Sequence, residues 1–310
     1  MSRDEPIWSD HSWNEAGDTR WQRGLRLQQA WWRSMQTDLP AGPITGRARP
    51  VVSMLPEGVG WQPNLMTPEA CESAEHAIAR LKRENRPGII NEDRLRRNLL
   101  SSQPLCFNLF GHLRTSPEAL LPWVRSIAPD ATSVRRIELE FAPTESTIGG
   151  SAFDAFVEYR RTDGTAGFLG VECKYAEDLK ASQRTPAAQK YISATATPPW
   201  KPGAVTILNR NGRRQLWYNQ LLTQIVAASA DYAEGFGVVV ACEADHAAKG
   251  AVEDVRSALL DEDKLRFCSL EQVVDSIRGH DTWKAAFVTR YLDFTPIQDL
   301  LDKSDPRKRS

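Results

Sequence analysis

The stretch SAFDAFVEYRRTDGTAGFLGVECKY, residues 151–175, predicts two β-strands joined by a tight turn. Successive side chains of a strand point to opposite faces of a sheet. Glu172 and Lys174 therefore share one face, and Cys173 points to the other with its apolar neighbours. The second strand thus carries an acid and a base on its polar face, and an apolar face for the core.

The length of the turn decides whether a further acid joins this face. Residues directly opposite in an antiparallel pair share a face. A three-residue loop over 162–164 sets Asp154 opposite Glu172, whereas a two-residue turn would set it opposite the apolar face. Three-residue loops commonly end on a left-handed glycine, and Gly164 stands at that position. The sequence therefore predicts two carboxylates and an ammonium side by side.

Two adjacent carboxylates repel each other, so each resists ionising alone. A divalent cation removes that cost, and hard oxygen ligands with open water positions suit Mg²⁺ or Mn²⁺. A lysine beside such a cation can position a water and help to deprotonate it. These residue types predict a metal site with Asp154 and Glu172 as ligands and Lys174 as their partner. The alternative is a surface hairpin on which Glu172 and Lys174 form a solvated ion pair.

This arrangement resembles the PD-(D/E)xK nuclease superfamily, whose fold is restriction-endonuclease-like. Asp154 is similar to the lone acid of that family, and Glu172-Cys173-Lys174 to its (D/E)-x-K element. Phe153 replaces the proline that precedes the first acid in the family pattern. The resemblance implies a DNA endonuclease that uses Mg²⁺ or Mn²⁺, in restriction, genome defence or DNA repair. The alternative is a silent member of the fold that binds nucleic acid or protein without cutting.

The order of elements agrees with the fold that the resemblance implies. Hydrophobic periodicity predicts a helix over 91–110 with a break at Pro104, then an alternating strand over 134–143. After the hairpin come an amphipathic helix over 213–233 and a continuously apolar strand over 235–246. We therefore expect an α/β (α+β) fold, with an αβββαβ core whose central mixed β-sheet is flanked by helices.

Further site residues are expected on the neighbouring elements. Glu140 is the candidate third metal ligand on the alternating strand, with Glu138 as the second choice and a solvent-facing role as the alternative. The resemblance implies an acid on the first core helix, for which Glu92 is the candidate. A first-turn acid that complements the helix dipole is the alternative there. It also implies a glutamine on the helix after the E-x-K strand, and Gln220 is the candidate catalytic residue.

The chain is expected to divide into four parts. Residues 1–66 form an N-terminal helix and linker, and residues 67–246 form the nuclease-like core with a flap-like insertion at about 176–210. Residues 247–301 form a helical extension that includes a short strand near residue 265, and residues 302–310 a disordered basic tail. The N-terminal helix is rich in tryptophan and arginine, and we expect it to pack on the core. A DNA-contacting arm is the alternative.

The insertion is polar, interrupted by prolines, and longer than an ordinary connection. We interpret it as a flap near the substrate, with a surface loop as the alternative. Cations near it and at the start of the next helix are expected to be available to phosphates: Lys180, Arg184, Lys190, Lys201, Arg213 and Arg214.

Composition limits the remaining hypotheses about partners, location and function. The 310 residues are 41% hydrophobic and 25% charged with a net charge of -1, so any nucleic-acid surface must be local. No apolar run is long enough to cross a membrane, and the N-terminus is no signal peptide. Five scattered cysteines favour a reducing, cytoplasmic setting. A homodimer is left open, and a cysteine hydrolase using Cys106 and His112 is the remaining enzymatic alternative.

Overall fold

The computed structural model describes residues 15, 17–46, 49–86, 90–143, 151–177, 187–196, 198–229 and 231–304. Several features that the sequence predicts lie outside the described residues. These are the Gly149-Gly150 turn before the hairpin, the insertion residues Lys180 and Arg184, and the tail from Asp305.

The regular elements include every strand and core helix that the sequence predicts, with additional helices in the insertion. The helices of the described residues are α1 (Arg20–Gln36), α2 (Pro68–Arg83), α3 (Glu92–Arg97), α4 (Ser102–Cys106), α5 (Leu121–Ile127), α6 (Gln189–Ala194), α7 (Ala204–Leu208), α8 (Arg214–Ala227), α9 (His246–Ser257), α10 (Leu270–Ser276), α11 (Asp281–Tyr291) and α12 (Gln298–Ser304). The strands are β1 (Gly42–Pro43), β2 (Pro50–Val51), β3 (Ala131–Phe141), β4 (Phe153–Arg161), β5 (Ala166–Cys173), β6 (Glu234–Ala241) and β7 (Leu265–Ser269). A π-helical turn (Phe107–Gly111) continues α4.

The main sheet has the strand order β3-β4-β5-β6-β7. Strands β3, β4 and β5 are antiparallel neighbours, whereas β6 runs parallel to β5 and β7 parallel to β6. This is the central mixed sheet of the expected α/β fold, and helices cover both of its faces. The short strand expected near residue 265 is β7, so the segment predicted as a helical extension contributes an edge strand to the main sheet.

The hairpin has the predicted register. Ala155 pairs with Val171 and Arg160 with Ala166, which leaves a three-residue loop over 162–164. Gly164 has φ 83°, the left-handed conformation that such a loop requires. The loop prediction is therefore confirmed, and the register sets β4 residue 154 opposite β5 residue 172.

Two hydrophobic clusters hold the helices against the sheet. One lies between the Val157 and Val171 face and helices α2, α4, α5, α10 and α11. The other lies between the Val239 face and helices α7, α8 and α9, with Trp217 of α8 fully buried. This two-sided cover explains why β6 reads as a continuous apolar run.

The first core helix is broken at a different place from the one predicted. Helix α3 begins after Asn91, whose side chain accepts a hydrogen bond from the backbone N–H of Arg94. The break falls at residues 98–101, and α4 restarts after the Ser101 cap. Pro104 lies in the first turn of α4, where its missing N–H has no helical partner to lose.

Strand β3 departs from simple alternation at three points, the first of which is a register shift between Ala131 and Ser133. A bulge between Val134 and Arg136 makes Arg135 an extra residue, so Val134 and Ile137 are both buried although three apart. Glu140 has φ 52°, which breaks the alternation again near the end of the strand. Phe141 consequently stacks on Phe156, at 4.2 Å between ring centroids, and lies outside the cluster that holds Ile137.

Helix α1 packs on the core, as the sequence predicts. A capping box at Thr19 starts it, and its Leu25 and Trp32 are buried. The Gln29 side chain donates hydrogen bonds to the Tyr175 hydroxyl and the Arg290 carbonyl, both at 2.9 Å. The segment immediately after β5 therefore rests against α1.

Two of the arginines that would have served α1 as a DNA-contacting arm are engaged within the protein. Arg33 is buried and donates to the carbonyls of Val52 and Leu39. Arg26 forms an ion pair with Asp18 at 2.7 Å. These two arginines therefore stabilise the fold around α1, and their donors are used by protein acceptors.

The described part of the insertion is helical and packed, which corrects the expectation of a flap or surface loop there. Tyr191 of α6, Trp200 and Leu208 of α7 are buried in the cluster that contains α8 and α9. Burial of large apolar side chains against neighbouring helices is the reason that this polar-looking segment folds.

Three of the cations expected to face phosphates are engaged by the protein. Lys201 pairs with Glu262 at 2.9 Å, and Arg213 pairs with Asp254 at 2.6 Å. Arg214 is buried and donates to the Asn209 side chain. These contacts contradict the expectation that the three are available to a substrate.

The C-terminal end also differs from the expectation, because α12 includes residues 302–304 of the predicted disordered tail. Of the helices that the structure describes, none has the length and apolar character needed to span a bilayer.

Candidate active site

Three carboxylates occupy neighbouring positions on three adjacent strands. In the register of β3 and β4, Glu140 lies opposite Asp154. In the register of β4 and β5, Asp154 lies opposite Glu172. All three positions are at the end of the sheet where β5 and β6 reach their carboxyl termini, the end at which open α/β sheets commonly bind ligands. The structure thus brings together the acids that the sequence nominated.

Asp154 is held by the main chain of the opposite strand. Its Oδ2 accepts a hydrogen bond from the backbone N–H of Cys173, at 2.7 Å. Burial, followed by the charges of Glu172 and Glu140, raises the pKa of Asp154 well above its usual value. The acid is therefore fixed in orientation, while burial and its acidic neighbours outweigh Lys174 and the Cys173 N–H and disfavour its ionised form.

Glu140 is buried at the end of β3, with 6% of its surface exposed. Its left-handed backbone is uncommon for a residue with a side chain, and strain of this kind is concentrated at functional sites. Its Oε1 accepts a hydrogen bond from Gln103 Nε2 at 2.6 Å. Burial raises the pKa of Glu140 to about 8, with a further contribution from Glu172, although the Gln103 contact opposes the shift.

Glu172 and Lys174 form a buried ion pair, so the alternative of a solvated surface pair is wrong. Each is 3% exposed, and Lys174 Nζ donates to Glu172 Oε1 at 2.5 Å. Burial disfavours the ammonium, yet the carboxylates of Glu172, Glu177 and Asp154 outweigh it and raise the pKa of Lys174. Lys174 therefore keeps its positive charge at neutral pH.

Helix α8 supplies amide groups to this pair, although not the one expected. Gln215 accepts a hydrogen bond from Lys174 Nζ at 2.8 Å and donates to Glu172 Oε1. Asn219 donates to the other oxygen of Glu172. Because Gln215 and Asn219 are four residues apart, they lie on one face of the helix.

The structure does not place Gln220 with these residues. Its Nε2 lies 3.4 Å from the Lys264 carbonyl, and its side chain packs against Gly237 of β6. Gln220 is next to Asn219 in sequence, and one residue is a turn of about 100° around a helix, so the two side chains face different neighbours. The sequence pattern identified the helix correctly but selected the wrong amide.

The other acids considered from the sequence lie outside the carboxylate row. Glu138 pairs with Arg80 at 2.7 Å and with Arg136 at 3.2 Å. Glu92 is exposed on α3 and pairs with Arg96, as expected for a first-turn acid on the helix surface. Neither carboxylate contacts the site.

Glu177 and Gln103 are site neighbours that sequence reasoning missed. The Glu177 carboxylate accepts hydrogen bonds from the backbone N–H groups of Ser102 and Tyr175, at 2.9 and 2.8 Å. It thereby links the start of α4 to the segment after β5. Gln103 reaches Glu140 through long-range packing, so no sequence signal marks it, whereas Glu177 lies only three residues after Lys174 in the chain. The four-residue spacing of Gln215 and Asn219 is the one pattern that could have been found.

The cysteine-hydrolase alternative does not fit the geometry. Cys106 is buried, and burial followed by its contact with the Cys173 thiol raises its pKa well above the usual value. His112 instead contacts Thr67 at 3.1 Å and His280 at 3.0 Å. A protonated, buried thiol beside a second thiol is a poor nucleophile.

The donor chemistry of the row fits a divalent cation. Three carboxylates supply hard oxygen ligands, and the raised pKa values of Asp154 and Glu140 show excess negative charge that a cation would relieve. In the described part of the chain, no group of three or more His, Cys, Asp or Glu side chains is gathered in a metal-binding geometry. The carboxylates of Glu140 and Glu172 are instead engaged by amide and ammonium donors.

A cavity of ≈ 500 Å³ has Arg94, Ser101 and Glu177 among its lining residues. Arg94 is a charged neighbour of Glu140, and Glu177 is a charged neighbour of Lys174. The carboxylates of the row and Lys174 do not themselves line this cavity.

Comparison with known proteins gave one family. The family model described as the PD-(D/E)XK nuclease superfamily matches residues 16–293, which is most of the chain. A search of curated proteins found no match. A search of solved structures also found none.

Proposed function

This chain belongs to the PD-(D/E)XK nuclease superfamily, and we propose that it is a divalent-metal-dependent DNA endonuclease that hydrolyses phosphodiester bonds. The observation that carries the proposal is the row of Glu140, Asp154 and Glu172 on adjacent strands, with Lys174 bonded to its end. Restriction, genome defence and DNA repair are the roles consistent with this activity.

Mg²⁺ or Mn²⁺ would be held by Asp154, Glu172 and Glu140. When bound, the cation supplies a Lewis acid for the phosphate and a nucleophilic water near neutral pH. Asp154 is the ligand that the main chain orients, through the Cys173 N–H. Gln103 holds Glu140 by a hydrogen bond, and Gln215 and Asn219 hold Glu172, so these amides would orient the two carboxylates when a cation is bound.

Lys174 is proposed to act on the reacting phosphate. It remains an ammonium, so it is a hydrogen-bond donor and no metal ligand. Its positive charge stabilises the negative charge that develops on the phosphoryl oxygens, and it can orient the attacking water. Gln215 accepts a hydrogen bond from Nζ and keeps the ammonium directed toward the acids. Preorganised donors of this type act most strongly where water is excluded, and Lys174 is buried.

A catalytically silent member that binds nucleic acid is the second candidate. The observation that favours it is the complete engagement of Glu172, whose two oxygens accept from Lys174, Gln215 and Asn219. If those contacts outcompete a cation, the fold would retain a polar cleft without the chemistry.

The test is cleavage by the purified wild-type protein. Supercoiled plasmid, linear duplex and single-stranded DNA are incubated with Mg²⁺, with Mn²⁺ and with EDTA, and products are followed on gels. The proposal predicts cleavage of at least one substrate with either cation and none with EDTA. Cleavage that persists in EDTA contradicts the metal dependence. Binding without cleavage under every condition replaces the nuclease by the silent member.

A further inference from the structure

A second cavity, of ≈ 220 Å³, lies at the free edge of β3, away from the carboxylate row. Helix α2 and the following helical segment form one wall, and β3 forms the other. Its charged lining comprises four arginines, one histidine and one glutamate: Arg80, Arg114, Arg135, Arg136, His76 and Glu138. The candidate active site uses none of these residues, and the excess of arginine points to an anionic ligand.

The glutamate in this cavity is already neutralised. Glu138 lies 2.7 Å from Arg80 and 3.2 Å from Arg136. Arg80 also donates to the carbonyls of Leu139 and Glu140, at 2.8 and 3.0 Å, and is 8% exposed. Arg80 and Glu138 therefore form an ion-paired base of the cavity, and this pair also covers the free edge of β3.

Arg136 donates to Glu158, Glu138 and Tyr232, whereas the other two arginines of the lining present unused donors. Arg135 is the extra residue of the β3 bulge, is exposed, and has no hydrogen-bond or ion-pair partner among the described residues. Bulges commonly re-aim a side chain in this way. Arg114 uses Nε to donate to Ser73 Oγ at 3.1 Å, and its terminal nitrogens have no partner in the part of the chain described. Planar guanidinium groups with free N–H pairs match the oxygens of a phosphate.

Cations outnumber acids among the residues that line this cavity. Partial desolvation, followed by the charges of Arg114, Arg80 and Arg83, lowers the pKa of His76, and Glu138 only partly opposes them. Arg80 is paired with Glu84 and Glu138, and Arg136 with Glu138 and Glu158, so the cations without an acidic partner in the described lining are Arg114 and Arg135. A protein with a net charge of -1 needs such a local surface to hold a polyanion.

The cavity and the carboxylate row lie on the same strand. Arg136 precedes Glu140 by four residues, so the two sites are roughly 13 Å apart at the ~3.3 Å rise per residue of a strand. That separation spans roughly four base-pair steps of a duplex at 3.4 Å per step. A DNA backbone whose scissile phosphate sits at the acids can therefore reach the arginines.

We propose that this cavity is a phosphate subsite for the DNA strand that flanks the scissile bond, with Arg135 and Arg114 as the donors. The inference rests on the proposed nuclease function. It adds the path of the bound DNA strand, which runs from the scissile phosphate along the free edge of β3. Both residues are positioning residues, since neither touches the reacting phosphate.

The test is the salt dependence of DNA affinity for the Arg135→Gln variant. Anisotropy of a short fluorescein-labelled duplex is measured over a range of NaCl concentrations, with Ca²⁺ in place of Mg²⁺ to prevent cleavage. Loss of one phosphate contact should reduce the slope of log Kd against log salt by about 0.9, so the ratio of the variant Kd to the wild-type Kd should rise roughly eightfold for each tenfold dilution of salt. The exposed Arg135 side chain has no hydrogen-bond or ion-pair partner among the described residues, so the melting temperature should stay at the wild-type value.

Arg160→Gln is the matched control, because Arg160 is an exposed arginine at the opposite end of β4 from Asp154. The inference requires a wild-type slope for this variant. Equal slopes and affinities for wild type, Arg135→Gln and Arg160→Gln, with wild type still cutting DNA, overturn the subsite and leave the nuclease intact. If wild type neither cuts nor binds any DNA, the proposed function fails first and the subsite falls with it.

Discussion

Asp154 Oδ2 accepts a hydrogen bond from the backbone N–H of Cys173, the residue between Glu172 and Lys174, at 2.7 Å. This contact joins the acid at the start of β4 to the main chain at the end of β5, between Glu172 and Lys174. The orientation of Asp154 is thus set by backbone, and the side chains at 172 and 174 are fixed relative to it. An asparagine at position 154 can keep the same contact through its carbonyl oxygen.

Lys174→Met should separate the structural role of the buried ion pair from its chemistry. The substitution leaves the Glu172 carboxylate buried without its cationic partner, and breaking a buried pair in this way costs about 3 kcal/mol. We expect the metal-free variant to unfold at lower denaturant concentration than wild type. Added Mn²⁺ should recover part of the difference, because the cation replaces the missing positive charge.

Glu172 and Lys174 lie on the polar face of the hairpin, a position from which solvent exposure and little effect on folding would be expected. Both side chains are buried, so a substitution at either one should change stability as well as chemistry. Urea denaturation in EDTA and in Mn²⁺ makes the measurement. If Lys174→Met and wild type have the same urea midpoint of unfolding in EDTA, Glu172 and Lys174 do not form a stabilising buried ion pair.

Glu140→Gln should change the pH dependence of stability. The pKa of Glu140 is raised from its usual 4.5 to about 8, so between these values the folded state binds more protons than the unfolded state. The free energy of unfolding of the metal-free protein therefore falls as pH rises through this window. Glutamine cannot titrate, so the variant should lose stability less steeply over the same range.

Asp154 contributes a slope of the same sign in the variant, because its pKa is also raised. Denaturation in EDTA at several pH values between 5 and 8 provides the comparison. A variant whose slope equals that of wild type shows that Glu140 is ionised normally in the folded protein.

Gln215→Ala should mainly lower the cleavage rate, whereas Gln220→Ala should mainly lower the stability. Gln215 contacts both Lys174 and Glu172, so its removal should lower the cleavage rate about 10- to 100-fold, as for other groups that orient metal ligands. Gln220 is buried against Gly237 and should affect stability more than rate. Initial cleavage rates and melting temperatures of both variants test these two expectations. A larger rate loss for Gln220→Ala restores the residue that sequence reasoning preferred.

Gly164→Ala should destabilise the hairpin that sets the register. Gly164 has φ 83°, and a side chain there is strained although the space around it is open, which costs about 1 kcal/mol. Gly250→Ala is the matched control, because Gly250 is an exposed glycine in α9 with equally open space and no positive φ. The control should gain about 0.5–1 kcal/mol from helix propensity. Thermal melting that shifts the same way for both variants rules out the left-handed loop.

The hairpin was predictable because its information is local. Strand period, the position of one glycine and the parity of the loop are sufficient to set Asp154 opposite Glu172. The buried strand β6 and the amphipathic helix α8 were predictable for the same reason, since each carries its periodicity within a short window. Together these elements define the fold class and three of the site residues.

The parts that failed depend on contacts between distant segments. Gln103 reaches Glu140 from α4, and the left-handed backbone of Glu140 shows no sequence signal. The insertion reads as polar loop because its buried residues, such as Trp200, are few and widely spaced. Gln220 was preferred over Gln215 because spacing gives the face of a helix and leaves its rotation against the sheet undetermined.

The cleavage rate of Asp154→Asn with Mg²⁺ tests the central claim most directly. The variant keeps the shape of the side chain and the Cys173 contact but removes the charge of the acid at the centre of the row. The account predicts a loss of about 10²- to 10³-fold in rate with a folded protein, the scale seen when one group that stabilises transition-state charge is removed. Asp163→Asn, the same change at an exposed loop position, should cut at the wild-type rate. An Asp154→Asn protein that cuts plasmid as fast as wild type would contradict the assignment of this site.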